Sequence, residues 1–363
     1  MAVHLFSRKS RTDSGTARPR RRAGLVSLAA AASLALAACS GGSGGASPTT
    51  GSTDATDDAT RTTPAETTSV VYLTSFNTFG RDSYVYLAEE RGYFEDAGFD
   101  VEIRPGTGSV DVMKLLAAGT ADYGVADLSA TIVGVANESL PVTALAAIHQ
   151  RSTTALMALE SSGISQPTDL AGKKIGDQPG STNQVIFPTW AKAVGLDPDS
   201  VTFVPTQPPA LPQMLVSGQV DAIGQLSVGE PLIQAAAGDN KIVVLRYADA
   251  LPDLYGNVLL TSKDTASANP ERAAAFAQAL LKGLTDAIED PQAAADALVA
   301  ANPTQDATVA AKELELMADA VKVDGTTIGA LDAGRVDTMI EILSAALNNP
   351  VTAGDIIAEN AVK

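Results

Sequence analysis

The chain has 363 residues, 45% of them apolar and 18% charged, with 25 Lys/Arg against 42 Asp/Glu. That length exceeds one compact core and calls for two lobes plus extras. A net charge of −17 argues against nucleic acid and against adsorption to anionic lipid, and a single cysteine excludes an intrachain disulfide, so core packing must hold the fold.

The first 39 residues set the compartment. Arg18, Arg20, Arg21 and Arg22 form a positive region, and Gly24 to Ala38 is an apolar run too short to span a bilayer as a permanent helix. It ends in Leu36-Ala37-Ala38-Cys39, which resembles a bacterial lipobox and implies that Cys39 is acylated and becomes the new amino terminus. The Ala-Gly-Leu after Arg21-Arg22 fits a twin-arginine signal poorly, which leaves the export route open. Residues 1–38 hold seven Lys/Arg and one Asp, so the remainder carries 18 basic and 41 acidic residues, a net of −23. Residues 40–69 are Gly, Ser, Thr and Asp with almost nothing to bury, the composition of a disordered tether spanning roughly 30 Å or of a cell-wall spacer.

Val70 to Thr74 reads as a buried strand, followed by a polar loop from Ser75 to Asp82. Ser83 is placed to cap a helix whose Tyr84, Leu87 and Ala88 share one side, and Gly92 stops it. Phe99, Val101 and Ile103 then alternate with Asp100, Glu102 and Arg104, the period of a strand with one covered face. Such strand–helix–strand units give a parallel sheet with ligands at the carboxyl ends of its strands, which makes the Ser75–Asp82 loop the first candidate site. Gly106-Thr107-Gly108-Ser109 precedes the next helix, with Ser109 expected to cap it; it lacks the third glycine of a dinucleotide fingerprint and the ending of a Walker loop. Tyr123 to Ala126 is a strand with Asp127-Leu128-Ser129 at its end. Val142 to Ile148 is a strand covered on both faces, followed by His149, Gln150 and Arg151. His149 is the only histidine after the export segment, and a lone histidine is more often structural than chemical, but a place just beyond a strand end makes it a binding candidate.

Thr154 to Leu159 and the stretch after Asp169 to Gly176 continue the strand pattern. Pro179-Gly180-Ser181-Thr182-Asn183 opens a helix carrying Phe187 and Trp190, and small hydroxyl residues after a glycine at a helix start present donors to one point in space. This is the strongest site signal in the chain. Pro188 is expected to disturb that helix. Leu116 to Asp122 is echoed by Leu215 to Asp221, each a helix end, a glycine and a strand start, which suggests two similar lobes facing each other. Val201 to Val204, Ile242 to Leu245 and a return strand from Tyr255 to Ser262 complete the strands, with helices at Pro208 to Ser217 and from Glu230-Pro231. From Asn269 the chain is helical, with Asn269-Pro270 and Asp290-Pro291 as caps, and its apolar stripes at Phe276 to Ile288 and Val336 to Leu343 are core against the first lobe.

The ordered whole resembles the solute-binding proteins of ABC importers, specifically the nitrate, sulfonate, taurine and thiamine-pyrimidine-precursor group. The resemblance rests on Tyr86-Leu87-Ala88, Arg91-Gly92-Tyr93-Phe94, Gly98-Phe99-Asp100-Val101, Leu116 to Gly124, Asp169 to Gly176, Gly180-Ser181, Leu215 to Gly224 and Asn269-Pro270, and covers about residues 70–350. It implies a two-lobed α/β fold of the periplasmic-binding-protein type II kind with two crossing strands as hinge. Lobe I would be residues 70–155 plus 255–363, and lobe II residues 156–254. Carried over loop by loop, it puts ligand-binding residues at Ser75, Asn77 and Arg81, at Gly108 and Ser109, at Asp127 and Ser129, and at His149 and Arg151. On the other lobe it points to Gly180, Ser181, Thr182 and Asn183, and to Gln225 and Glu230. Pyrimidine-precursor binders usually show a Trp-x-Pro-Asn-x-x-His sequence in the first loop; here it is Ser75-Phe76-Asn77-Thr78-Phe79-Gly80-Arg81, which leaves the solute open.

The resemblance further implies a monomer, lipid-anchored on the outer face of a bacterial cell membrane, that hands a small solute to an ABC permease. No cofactor, metal, nucleic acid or catalytic residue is expected. Two solute classes compete. Arg81, Arg151 and the amides around Ser181 suit a sulfonate, taurine, nitrate or similar oxyanion. Phe76, Phe79 and Trp190 suit stacking on a flat heterocycle such as a thiamine pyrimidine precursor, with Asp127 or Glu230 accepting from its amino groups, and the aromatic first loop favours this class. An exported pyrimidine-synthesis-like enzyme is the alternative of another kind. It is opposed by the anchor and by the absence of His-Glu-x-x-His or paired cysteines.

Overall fold

The computed structural model describes residues 67–362; the export segment, Cys39 and all but the end of the tether lie outside the described residues. The first sheet starts with β1 (Thr68–Leu73), two residues inside the stretch read as tether, because Thr68 and Ser69 already pair with Phe99 and Asp100 of β2 (Phe99–Arg104). Between them run α1 (Ser83–Glu90) and the short α2 (Tyr93–Asp96), separated by Gly92 in the left-handed region at φ 70°. Ser83 is not the cap of α1. A 3-10 turn over Gly80–Asp82 leads directly into the helix, and the Ser83 hydroxyl donates back to the Gly80 carbonyl at 2.6 Å.

Then follow α3 (Ser109–Ala117), β3 (Tyr123–Asp127), α4 (Leu128–Glu138) and β4 (Val142–Ala147). The chain crosses to a second sheet made of β5 (Thr154–Leu159), β6 (Lys174–Asp177), β7 (Thr202–Pro205), β8 (Ala222–Leu226) and β9 (Ile242–Arg246). Its helices are α5 (Thr182–Ala193), α6 (Leu211–Val216) and α7 (Glu230–Ala237). Helix α5 runs through Pro188 without a break. The chain returns as β10 (Asn257–Ser262), which enters the first sheet between β3 and β4 and antiparallel to both.

The sheets have matching orders, β2-β1-β3-β10-β4 and β7-β6-β8-β5-β9, each parallel except for one strand that comes in from the other lobe. The sequence echo has a physical basis in this match. Asp122, ahead of β3, accepts from the Val71 N–H of β1 at 2.8 Å, and Asp221, ahead of β8, accepts from the Lys174 N–H of β6 at 2.8 Å. Gly119 and Gly218, at φ 66° and 70°, make the turns that deliver both carboxylates.

The remaining helices are α8 (Lys263–Ala268), absent from the sequence expectation, α9 (Pro270–Glu289), α10 (Pro291–Ala301), α11 (Ala307–Val321), α12 (Ala333–Leu343) and α13 (Ala353–Ile356). Asn269 and Asp290 cap α9 and α10 through their side chains, accepting from Arg272 N–H and Ala293 N–H. Phe276 of α9 stacks on Tyr123 of β3 at 3.8 Å between ring centres and meets Phe94 and Phe99, which fixes the helical end onto the first sheet. The crossings are bonded to one another: Gly256 N–H donates to His149 O at 3.1 Å, and Ser152 N–H to Leu254 O at 2.8 Å. A Cβ on Gly256 would stand 2.8 Å from His149 Cβ and 2.9 Å from Arg151 O, so the crossings touch where only glycine fits.

Candidate functional site

Parallel strands end at the same edge, so the loops after β1, β2 and β3 meet those after β6 and β8 across one gap. A cavity of about 20 Å³, room for roughly one water, lies there between Ser75, Phe76, Gly108, Ser109 and Asn257 of the first lobe and Ser181, Thr182, Asn183, Gln225 and Leu226 of the second. The lobes touch directly. Ser109 Oγ lies 3.0 Å from Thr182 Oγ1, and Val110 N–H reaches Gly180 O at 3.5 Å. Gly108 at φ 130° and Gly180 at φ 78° face each other at this contact, and a Cβ on Gly180 would press on Val110 at 3.3 Å.

Each lining group has a defined hydrogen-bonding remainder. Ser109 is the first residue of α3 rather than its cap, which is Gly108, and its Oγ accepts from the Asp127 N–H at 3.1 Å. Ser75 Oγ accepts from Asn257 Nδ2 at 3.1 Å, leaving the serine proton and the Asn257 carbonyl oxygen for a solute. Gln225 Oε1 accepts from the Leu226 N–H at 2.9 Å, leaving its amide hydrogens. Asn183 is spoken for: with its amide oriented to satisfy both ends, it donates to Ala155 O at 2.9 Å and accepts from Gln225 N–H at 3.1 Å.

Ser181 caps α5, accepting from Gln184 N–H at 3.2 Å and donating to Asp177 at 2.5 Å. Burial pushes the Asp177 carboxyl up to about 7, against the opposing pull of Ser181 and the Gln178 N–H. Asn257, Leu226 and Asp177 were not among the sequence candidates. Asn257 opens the antiparallel strand β10 directly opposite Asp127, so it reaches the rim where the parallel strands end.

The other candidates lie around the cavity rather than along it. Asn77 is half-buried at φ 53°, its N–H bonded to Gly106 O at 2.7 Å. Arg81 is buried, its guanidinium donating to the Phe76 carbonyl at 3.1 Å and covering the Phe79 ring at 4.6 Å, its backbone N–H donating to Glu313 at 3.0 Å, and its Nε and Nη1 finding no partner among the described residues. Phe79 packs with Phe76 into an apolar cluster that includes Met157, Leu211 and Ile233 of the second lobe.

Asp127 caps α4 through Ser129 N–H at 2.8 Å and Ala130 N–H at 3.3 Å, and burial pushes its carboxyl up to about 6. Ser129 is buried beside it. His149 is buried at the crossing, with Nδ1 3.4 Å from Asn257 N–H; burial, then the charge of Arg81, lowers it to about 3, so the ring is neutral. Arg151 is exposed and lines a separate groove beside the crossings with Arg246 and Asp319. Glu230 starts α7 and faces Arg246 at 3.9 Å. Trp190 is not a free platform: it is fully buried, stacked on Tyr247 at 4.4 Å and 5°, and the Tyr247 hydroxyl donates to Asn183 O at 3.3 Å.

A family model described as NMT1/THI5 like matches residues 83–294. The chain is 26% identical over 282 residues to the formylaminopyrimidine-binding protein of Halalkalibacterium halodurans, a match covering 75% of this chain and 84% of that one. It is 25% identical over 236 residues to 4-amino-5-hydroxymethyl-2-methylpyrimidine phosphate synthase of Schizosaccharomyces pombe, covering 62% and 67%. Among solved structures, the alkanesulfonate-binding protein SsuA from Xanthomonas axonopodis pv. citri bound to MOPS is similar with a TM-score of 0.63 at 17% identity, covering 82% of this chain and 99% of that one. The periplasmic nitrate-binding protein NrtA from Synechocystis PCC 6803 gives 0.58 at 12%, covering 78% and 83%. These structures share the periplasmic-binding-protein fold with the two-sheet arrangement seen here. With the family match spanning more than half of the sequence and both sheets contributing to it, the chain belongs to the NMT1/THI5-like family.

Proposed function

We propose that the protein is the extracytoplasmic solute-binding component of an ABC importer, anchored through Cys39, which captures a small uncharged planar heterocycle between its lobes and delivers it to a membrane permease. The observation that carries the solute class is the lining of the cavity: hydroxyl and amide groups from both lobes, with no charged side chain among them. A sulfonate or nitrate calls for a cation or an array of free N–H groups. Arg81 is not among the lining residues, its Nη2 donating to the Phe76 carbonyl, and Arg151 lies in another groove, which speaks against the oxyanion reading. The buried Arg81 Nε and Nη1, without partners among the described residues, are the one feature in its favour. The formylaminopyrimidine-binding relative supports the heterocycle.

Space for one water does not admit a ring, so the lobes must part for entry and, closed on the solute, stand farther apart than they do here. Closure is favoured only to the extent that the solute binds the closed form better, which groups on both lobes provide. A synthase activity has the fungal relatives behind it. The low proton affinity of the buried His149, the bond from Asn257 N–H to its Nδ1 and its place outside the cavity lining weigh against a catalytic base there.

A thermal-shift panel of aminopyrimidines, formylaminopyrimidine, taurine, methanesulfonate and nitrate tests the reading. A solute at a hundred times its Kd is expected to add about 2.7 kcal/mol, a rise of roughly 5–11 °C for a domain of this size. A shift confined to the oxyanions contradicts the solute class, and turnover of a pyrimidine precursor contradicts the transport role.

A further inference from the structure

We infer that Asp177 is a positioning residue that fixes the hydrogen-bond polarity of Ser181, so that the second lobe accepts only solutes presenting an N–H or O–H donor to it. The inference rests on the solute-capture reading and narrows it. A serine hydroxyl has one proton and two lone pairs. Above about pH 7, where Asp177 is ionised and can only accept, the Ser181 proton is committed to Asp177 Oδ2 at 2.5 Å, and one lone pair is taken by Gln184 N–H at 3.2 Å. What remains toward the cavity is a single lone pair. Ser181 therefore offers an acceptor, and a solute whose polar atoms are all acceptors leaves it unmatched and desolvated.

Asp177 cannot turn away to release that proton. It is fully buried at the end of β6, its Oδ1 receives the Gln178 N–H at 2.8 Å, and its carboxylate lies flat over Gly224 of the neighbouring strand, where a Cβ would come within 2.4 Å of Asp177 Cγ. A glycine on β8 thus makes the space for a carboxylate on β6 that sets the direction of a bond made by the cap of α5. Polarity elsewhere in the cavity is complementary, since the Gln225 amide hydrogens and the Ser75 proton supply donors for ring nitrogens or carbonyls. The solute that satisfies all of them carries donors and acceptors at once, as an aminoheterocycle does and methanesulfonate or nitrate does not.

The test compares two probes of the same shape, 4-amino-2-methylpyrimidine and 4-methoxy-2-methylpyrimidine, together with methanesulfonate. They are titrated calorimetrically into the full chain and its Asp177→Asn and Ser181→Ala variants at pH 8, above the value of about 7 to which burial raises Asp177. The parent protein is expected to prefer the amino probe by roughly tenfold, the worth of one matched against one unmatched buried bond. In Asp177→Asn the amide can donate to Ser181 and turn its proton toward the solute, so the preference is expected to fall to about twofold or less as the methoxy probe gains. A merely structural Asp177 would weaken both probes alike and leave the ratio standing, which overturns the inference. Should Asp177→Asn fail to fold, Ser181→Ala carries the same expectation of a collapsed ratio. Binding of methanesulfonate alone overturns the inference and the heterocycle while leaving solute capture in place; binding of no probe by the parent contradicts solute capture of this class, and the inference with it.

Discussion

Gly106→Ala is expected to lower the melting temperature by roughly 6–12 °C and to weaken solute binding at least tenfold. A Cβ at this position would stand 2.0 Å from the Thr74 carbonyl oxygen and 2.9 Å from Val112 Cγ2. The obstacle is backbone, not a side chain that can rotate away. The Thr74 hydroxyl donates to Asn77 O at 2.5 Å and accepts from Gly106 N–H at 3.2 Å, while Asn77 N–H returns to Gly106 O at 2.7 Å. These bonds tie the loop after β1 to the loop after β2. Admitting a methyl group means parting them, and overpacking of this kind costs about 3 kcal/mol, with each kcal/mol worth roughly 2–4 °C. The same displacement moves Ser75, Phe76, Gly108 and Ser109, which is why binding suffers with stability. Gly354→Ala, at an exposed position of α13 with only the Thr352 hydroxyl at 3.7 Å, is the control and is expected to melt within about 1–2 °C of the parent. Equal melting of Gly106→Ala and the parent would show that the loops are not joined as described.

Stability is expected to rise as pH falls from 8 to 5, the reverse of ordinary acid sensitivity. Among the described residues, four buried carboxyls have raised values: Asp177 and Glu313 at about 7, Asp82 and Asp127 at about 6, each chiefly through burial. Their unfolded values lie near 4. The native state therefore holds protons that the unfolded chain has released, and the resulting stability is complete below about pH 4 and lost as pH rises through 6 to 7. For Asp177 alone the difference between pH 5 and pH 8 is on the order of 2–3 kcal/mol. Surface carboxylates such as Asp169 and Asp355, held low by the backbone N–H groups of Ser165 and Thr352, work in the opposite direction, but they are solvent-screened. Melting temperature measured across this range should climb toward pH 5, and Asp177→Asn should flatten the climb. A melting temperature that falls steadily from pH 8 to pH 5 would contradict the burial of these groups.

What could be read from the sequence was what depends on near neighbours. The caps at Asn269 and Asp290, the stop at Gly92 and the repeated helix–glycine–Asp phrase are local, and each performs in the structure the step its spacing implies. Misreadings came where a distant segment decides. Arg81 looks like a loop residue in open solvent, yet α11 packs against its backbone and buries it: its backbone N–H donates to Glu313, 232 residues away, and Ala310 Cα lies 2.3 Å from where a Gly80 Cβ would be. Trp190 sits on the helix that opens at the site and seemed a stacking surface, but Tyr247 from β9's end covers its face. Ser83 and Ser109 have the residue type of caps, and the glycine-containing turns before them start the helices one residue early. Asp177 reads as an ordinary strand end, since nothing within its own strand reveals that Gly224 makes room for it. Two lobes were thus legible in the length and in the repeated helix–glycine–Asp phrase, whereas the division of site residues into lining and support needed the tertiary contacts.

The most direct test of a solute held between two lobes is the affinity of one panel-positive solute for two variants, Asn257→Ala on the first lobe and Gln225→Ala on the second, measured by calorimetry beside the parent. Both are expected to bind about five- to thirtyfold more weakly, since each removes one lining group worth roughly 1–2 kcal/mol. Unchanged affinity in either variant, with its fold intact, would place the solute on one lobe only or outside the cleft and contradict the account.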